Sequence, residues 1–174
     1  LVRVAGGAKD PSSDSRGATR TPQDALFSCC LWGPSAGCDP LGPGNRNCIP
    51  QVGQTSTNKL DAIADRLMFR LAYRNFGDHE ALVGNFTVSV SGIAGIRWFE
   101  MRGVSNEPES VFQEGTYSPD STHRWVASAA MNGAGDLAVG FSASGATIFT
   151  RISYAGRQTN DQLGRLAQGG AYLF

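Results

Sequence analysis

Residues 124–157 read RWVASAAMNGAGDLAVGFSASGATIFTRISYAGR. Three runs of apolar and β-branched residues are separated here by two short segments that contain glycine. Short runs of this kind, bounded by glycine turns, are typical of β-strands joined by tight connections. The stretch therefore predicts an antiparallel meander of three strands.

The same unit occurs a second time, earlier in the chain. Adding 58 to each residue number aligns residues 65–78 with residues 123–136 without a gap, and the match continues after a small deletion. Taken alone, residues 60–73 would also fit an amphipathic helix, because leucine and isoleucine recur there at helical spacing. The repeat favours strands, since the second copy is β-like. The matched residues include Arg66 and Arg124, Ala72 and Ala130, Gly77 and Gly135, Asp78 and Asp136, Arg97 and Arg151, and Arg102 and Arg157.

A repeat of roughly 40 to 60 residues that is built from such strands predicts a β-propeller. We expect an all-β fold, namely a β-propeller fragment of about two four-stranded blades. The second blade is expected to lack its outer strand. The predicted strands are 66–74, 80–90, 95–102 and 110–117 in the first blade, and 124–132, 137–144 and 147–156 in the second.

Two blades cannot close a ring, and they leave unpaired strand edges that favour association. Residues 47–52 are strand-like and precede the first blade, so they would complete the second blade of a neighbouring copy, head to tail. Heterologous contacts of this kind close into rings when the rotation permits. The sequence thus predicts a homo-oligomer, and three chains of two blades would make a six-bladed propeller.

Composition divides the chain and excludes two classes of partner. We predict a flexible or irregular N-terminal arm at residues 1–45, the blades at residues 46–165 and a C-terminal tail at residues 166–174. Lys and Arg number 15, as do Asp and Glu, which argues against a broad surface for nucleic acid. No apolar run reaches the roughly 18 residues of a membrane helix, so no membrane contact is expected.

All four cysteines lie between residues 29 and 48: Cys29, Cys30, Cys38 and Cys48. Their spacing lacks the paired C-x₂-C units of common zinc sites, and a bond between the adjacent Cys29 and Cys30 would be strained. Disulfides or free thiols are therefore favoured over a metal site, and the pairing stays open.

Four segments carry a resemblance to a known group of proteins. GDHEALVGNFTVSV at residues 77–90, AGIRWFEMR at 94–102, QEGTYSPDSTHRW at 113–125 and GDLAVGFSAS at 135–144 are similar to the C-terminal blades of large secreted bacterial β-propeller proteins, which are distantly sialidase-like. The resemblance covers about residues 46–165 and implies a secreted or extracellular origin. Its motifs are structural, and the S-x-D-x-G-x-x-W box of sialidases is absent from the sequence.

The loop that enters the second blade carries the first candidate site, Asp120 and His123. In a ring, each copy would bring one His123 near the axis, where several imidazoles would hold zinc or another divalent metal. Zinc with three nitrogen ligands lowers the pKa of its bound water to about 7. Asp120 would orient that water or act as the base, and Arg124 would stabilise the developing charge. The alternative is a surface histidine that caps its strand, with Arg124 paired to Asp120.

The second candidate is His79, which lies between Asp78 and Glu80. Strand alternation puts Asp78 and Glu80 on one face and His79 on the other, so the three cannot bind one ion from regular β-geometry. Asp78 recurs as Asp136 in a Gly-Asp turn, which predicts turn hydrogen bonds. Copies of His79 would form a metal cluster at the opposite mouth of a ring.

These residues allow three hypotheses for function. The first is a metal-dependent hydrolase of small activated esters or phosphoesters. The second is a non-catalytic secreted propeller module that binds a small-molecule ligand or a protein. The third is a structural remnant without selected activity.

Overall fold

The computed structural model describes residues 47–54, 58–64, 66–105 and 109–172. All regular structure in these ranges is β-strand, which confirms the all-β prediction and overturns the helical alternative for residues 60–73. No described segment is a helix of the length and hydropathy that could cross a membrane. The predicted arm at residues 1–45 lies outside the described residues. The strands are β1 (Asn47–Ile49), β2 (Leu60–Asp61), β3 (Ala72–Asn75), β4 (Glu80–Val90), β5 (Ile93–Arg102), β6 (Ser110–Tyr117), β7 (His123–Met131), β8 (Leu137–Gly145), β9 (Ile148–Arg157) and β10 (Gln168–Tyr172).

The strands form three antiparallel sheets, none of which is closed. One pairs β1 with β2. The first sheet, as we call it below, has the order β3-β4-β5-β6, and the second sheet has the order β7-β8-β9-β10. Each follows chain order as a meander, and the two correspond to the two copies of the sequence repeat.

Two strand predictions require correction. The second sheet does not lack its fourth strand, because β10 pairs with β9 and supplies it from within the predicted tail. The first strand of the first sheet is β3, much shorter than the predicted 66–74. In addition, β1 covers only part of residues 47–52 and pairs with β2 of its own chain. Pairing of β1 within its own chain therefore replaces the predicted strand exchange between copies.

The repeated turns explain the repeated glycines. Gly77 has a φ of 92° and Gly135 a φ of 85°, a conformation that glycine adopts without steric cost. An asparagine before each turn accepts a hydrogen bond from a backbone N–H group of that turn. Asn75 Oδ1 accepts from the Gly77 N–H at 2.7 Å, and Asn132 Oδ1 accepts from the Asp136 N–H at 2.9 Å. Asp136 also accepts from the Thr159 N–H at 2.9 Å. The predicted turn role of this aspartate is thus confirmed in the second copy.

The principal core lies between the first and second sheets. Trp98 of β5 is 1% exposed and Phe141 of β8 is 3% exposed, and both belong to one continuous apolar cluster. Alternate residues of β4, β5, β7 and β8 contribute the rest, as expected for strands that bury one face. The cluster consists of Ala81, Val83, Ile96, Trp98, Ala127, Ala129, Met131, Leu137, Val139, Phe141, Ala143, Ala155 and Leu166.

A single buried amide connects the two sheets across this core. Asn85 of β4 is fully buried, and in the orientation that satisfies its amide, Nδ2 donates to Ala127 O at 3.1 Å and Oδ1 accepts from Ala129 N at 3.2 Å. β7 is the edge strand of its sheet, so these peptide groups have no partner strand. The side chain therefore replaces the missing neighbour for β7.

The two sheets meet through opposite faces. Because the residues are L-amino acids, the face of the sheet on which a side chain lies determines towards which neighbouring strand the N–H and C=O groups of that residue point. The core-facing Asn85 turns its carbonyl towards the chain that leads into β3, where Met68 N donates to it at 2.9 Å. The core-facing Ala129 turns its N–H away from β8, so Val139 opposite it turns its peptide groups towards β9. On the second strand of each sheet, the core-facing residues of β4 thus turn their peptide groups towards the first strand, β3, whereas those of β8 turn theirs towards the third strand, β9. The face that the first sheet presents to the core is therefore the face that the second sheet turns away from it. The sheets pack front to back.

Substitution of Asn85 by alanine tests this connection. The change leaves two buried peptide groups of β7 unsatisfied, so we expect the free energy of unfolding to fall by about 2–4 kcal/mol. Urea denaturation measures the loss. The matched control is Asn75→Ala, which removes one exposed turn hydrogen bond and should cost below about 1 kcal/mol. Equal losses for the two variants would contradict the special role of Asn85.

Candidate functional site

Asp120 and Arg124 form a bidentate ion pair. Arg124 Nη1 lies 3.0 Å from Asp120 Oδ1, and Nη2 lies 2.9 Å from Oδ2. The carboxylate also accepts from the Thr122 N–H at 2.7 Å, and Arg124 donates to Thr122 O at 2.8 Å. The arginine is buried, with Tyr117 and Phe141 beside its guanidinium. The pair therefore fixes the loop between β6 and β7, and both charges are already satisfied.

The Arg124 hydrogen bonds hold the pKa of Asp120 well below its usual range, and the Thr122 N–H adds to this. The sequence left open whether Arg124 pairs with Asp120, and the structure confirms this ion pair. Since the carboxylate accepts from two groups and stays charged, it is poorly suited to take up a proton as a general base.

His123 lies on the other face of β7. It is buried, and its Nδ1 accepts from the Ala94 N–H at 3.2 Å, which assigns the proton to Nε2. Burial lowers its pKa, with a further contribution from the positive charge of Lys59. Alternation along β7 points the side chains of His123 and Arg124 to opposite faces. The structure therefore does not join His123 to the Asp120–Arg124 pair.

His79 lies in the turn between β3 and β4. Its ring stacks on Phe76, with centroids 4.7 Å apart and planes 12° apart, and its Nδ1 lies 2.8 Å from Asp78 Oδ1. The same hydrogen bond lowers the pKa of Asp78. Across the described ranges, no three His, Cys, Asp or Glu side chains cluster closely enough to hold a metal ion. Metal ligation by His79 or His123 thus stays a prediction that would need more than one copy of the chain.

A cleft opens between the two sheets at the end where His79 lies. It has a volume of about 130 Å³, and we call it the inter-sheet cleft. The repeated Gly-Asp turns flank it, and the ends of β5 and β9 form its floor. It is lined by Phe76, His79, Glu100, Arg102, Phe112, Met131, Ala134, Gly135, Arg157, Thr159 and Leu163.

The first sheet contributes an ion pair to the cleft. Glu100 is almost fully buried, and its two oxygens accept from Arg102 Nε at 2.7 Å and Gln113 Nε2 at 2.6 Å. Arg102 lies over the ring of Phe112, with its guanidinium carbon 3.4 Å from the ring centroid. Both carboxylate oxygens are therefore satisfied, whereas the Nη atoms of Arg102 remain at the cleft.

The second sheet contributes a buried cation, Arg157, which is 3% exposed. In the described part of the chain, its Nη2 donates to the carbonyls of Thr159 at 3.2 Å and Asp161 at 2.9 Å, and its buried Nε has no acceptor. Arg102 and Arg157 are matched in the sequence repeat, but sequence reasoning did not select them as functional. The signal was their recurrence at the same strand end, and the packing of the sheets brings them to one cleft.

Comparison with family models, with curated proteins and with solved structures finds no match for this chain. The resemblance to blades of secreted bacterial propellers accordingly stays a prediction.

The Asp120–Arg124 pair makes stability depend on pH in a defined direction. A depressed carboxyl pKa contributes stability above the unfolded value of about 4, and this contribution disappears as pH falls below it. We expect Asp120→Asn to lower stability by about 1–2 kcal/mol at neutral pH, because Asp120 is partly exposed and Arg124 is not. Thermal unfolding of both proteins between pH 7 and pH 2 measures this. A difference that stays constant down to pH 2 would show that the charge is not responsible.

Proposed function

We propose that this chain is a non-catalytic, protein-binding β-propeller module that assembles with copies of itself. The observation that carries the proposal is the front-to-back packing of the two repeated sheets. Because one sheet's front meets the other's back, the free face of the second sheet is equivalent to the face of the first sheet that is buried in the core. A repeated surface that is covered in one copy of the unit and open in the next is suited to bind a further sheet.

The residues of this free face, which we call the outer face of the second sheet, support the proposal. Ile152 is 52% exposed and Tyr154 is 42% exposed, and a Cβ atom placed on Gly140 would meet no atom within 4 Å. The face carries no charged side chain, whereas ordinary exposed strands carry many. It comprises Ser128 and Ala130 of β7, Ala138, Gly140 and Ser142 of β8, and Ile152 and Tyr154 of β9.

A complementary apolar surface lies at the far end of the molecule. Leu71 covers the back of the first sheet, since a Cβ on Gly84 would lie 3.0 Å from Leu71 Cδ1. The same segment exposes Leu67 to 55% and Phe69 to 88%. Apolar patches at two opposite ends suit a heterologous, head-to-tail contact, and such contacts close into rings. We propose a ring of three chains, which would stack six four-stranded blades.

The proposal favours binding over metal-dependent hydrolysis for physical reasons. The Asp120 carboxylate is engaged by Arg124, and the His123 Nδ1 is engaged by the Ala94 N–H, so both groups serve the fold. A secreted origin is supported by the disulfide bond of Cys48, because such bonds persist in oxidising compartments. The other three cysteines lie outside the described residues.

The assembly is tested by light scattering coupled to size-exclusion chromatography. We expect the wild-type protein to have the mass of three chains of 18.4 kDa each. Gly140→Arg should fold normally, since the space above Gly140 is open, and should elute as a monomer because its charge would be buried at the contact. A wild-type monomer would overturn the proposal.

The control is Gln162→Arg, which adds the same charge at an exposed loop position away from the outer face. It should keep the wild-type mass. An oligomer that survives Gly140→Arg, or that dissociates equally in the control, would show that another surface holds the copies together.

Metal content distinguishes the two functions. Under the binding hypothesis, purified protein dialysed without chelator should hold no stoichiometric zinc, and EDTA should change neither its mass nor its melting temperature. Elemental analysis and thermal unfolding measure this. Stoichiometric zinc that is lost in His123→Ala but retained in His79→Ala would instead support the hydrolase at the mouth that His123 occupies.

A further inference from the structure

We infer that the inter-sheet cleft binds a small organic carboxylate that carries an apolar, preferably aromatic, body. This site is separate from the outer face and does not depend on assembly. Two arginines and one carboxylate line the cleft, namely Arg102, Arg157 and Glu100, and the Glu100 carboxylate has both oxygens occupied by Arg102 and Gln113. The Glu100 oxygens therefore serve the first sheet, and neither is hydrogen-bonded to Arg157.

Arg157 interacts electrostatically with Asp136, but its guanidinium keeps an unsatisfied donor. The guanidinium is nearly inaccessible to water, yet within the described residues it donates only to two backbone carbonyls, through Nη2, and its Nε has no acceptor. A buried donor without an acceptor is costly, because it has lost its hydrogen bonds to water. A carboxylate at the cleft would supply the missing acceptor, and a hydrogen bond between two charged groups is stronger than one between neutral groups.

The walls of the cleft determine the body of the ligand. His79 stacked on Phe76 forms one aromatic wall, and Arg102 stacked on Phe112 forms another. Met131 and Leu163 add apolar surface. A flat ring attached to the carboxylate would lie between these walls and exclude water from the ion pair. An isolated inorganic anion would leave the walls uncovered, so the geometry favours an aromatic carboxylate over phosphate.

Arg102 and Arg157 end β5 and β9, and both line the cleft between the two sheets. Equivalent residues of sheets that stack front to back point in the same direction, so the two arginines are not equivalent in the fold, although the sequence repeat aligns them. Their meeting follows from the packing of the sheets. Within the first sheet, Glu100 lies two residues before Arg102 and neutralises it, whereas Ala155 occupies that place before Arg157.

The probe is benzoate, compared with benzamide as a neutral molecule of the same shape and with inorganic phosphate as an anion without a ring. NMR titration of ¹⁵N-labelled protein should give a dissociation constant of about 1–10 mM for benzoate, as suits a ligand of this size. Shifts should concentrate at residues of the cleft. Benzamide and phosphate should each bind at least about tenfold more weakly.

Substitutions locate the site. Arg102→Met should weaken benzoate at least about tenfold, and it is combined with Glu100→Gln so that no unpaired charge is left buried. Phe112→Ala, at an exposed ring, should weaken benzoate without abolishing the preference over benzamide. Arg97→Met is the matched control, because Arg97 lies on the opposite face of β5 in an ion pair with Glu114. Arg157→Met should abolish binding if the variant folds.

Three results would overturn the inference. Equal binding of benzoate and benzamide would show an apolar cleft without a role for charge. Equal binding of phosphate and benzoate would show an anion site without the aromatic walls. Absence of benzoate binding, or binding that Arg102→Met and Arg97→Met reduce alike, would remove the cleft from consideration.

Discussion

The contact between Asn85 and the edge of β7 is the interaction on which the rest of this structure depends. An edge strand exposes peptide groups that must be satisfied, and burial inside a core makes that requirement strict. The Asn85 amide satisfies two of them from the neighbouring sheet, at Ala127 and Ala129. A polar contact of this kind sets the register between the sheets, which an apolar core of alanine and valine would leave loosely defined.

Both surfaces to which we assign binding follow from that register. With β7 held over β4, the matched ends of β5 and β9 open into one cleft, and the opposite face of the second sheet is left without a cover. Repetition thus generates two kinds of site at once. One lies between the units, where the Nε of a buried arginine lacks an acceptor, and the other lies where the next unit would be placed.

The candidate residues selected from sequence were drawn from the loop before the second unit and from a histidine turn. Asp120 and Arg124 do meet, since they are four residues apart in a tight connection. His123 is adjacent to Arg124 in sequence, but strand alternation separates their side chains. Arg102 and Arg157 could be found only by their recurrence in the repeat, because nothing local distinguishes a functional arginine from one that pairs with its neighbours.

The sequence by itself determined the all-β class, the two-fold repeat and most strand limits of the two sheets. These features depend on local patterns, namely apolar runs and glycines with positive φ at Gly77 and Gly135. The fourth strand of the second sheet was missed, because β10 contains two glycines and its pairing with β9 across an intervening loop is not a local property. Only the tertiary structure decided which faces of the sheets meet, since that depends on peptide direction in strands far apart in sequence. The burial of Arg157 with an unsatisfied Nε follows from the same long-range packing.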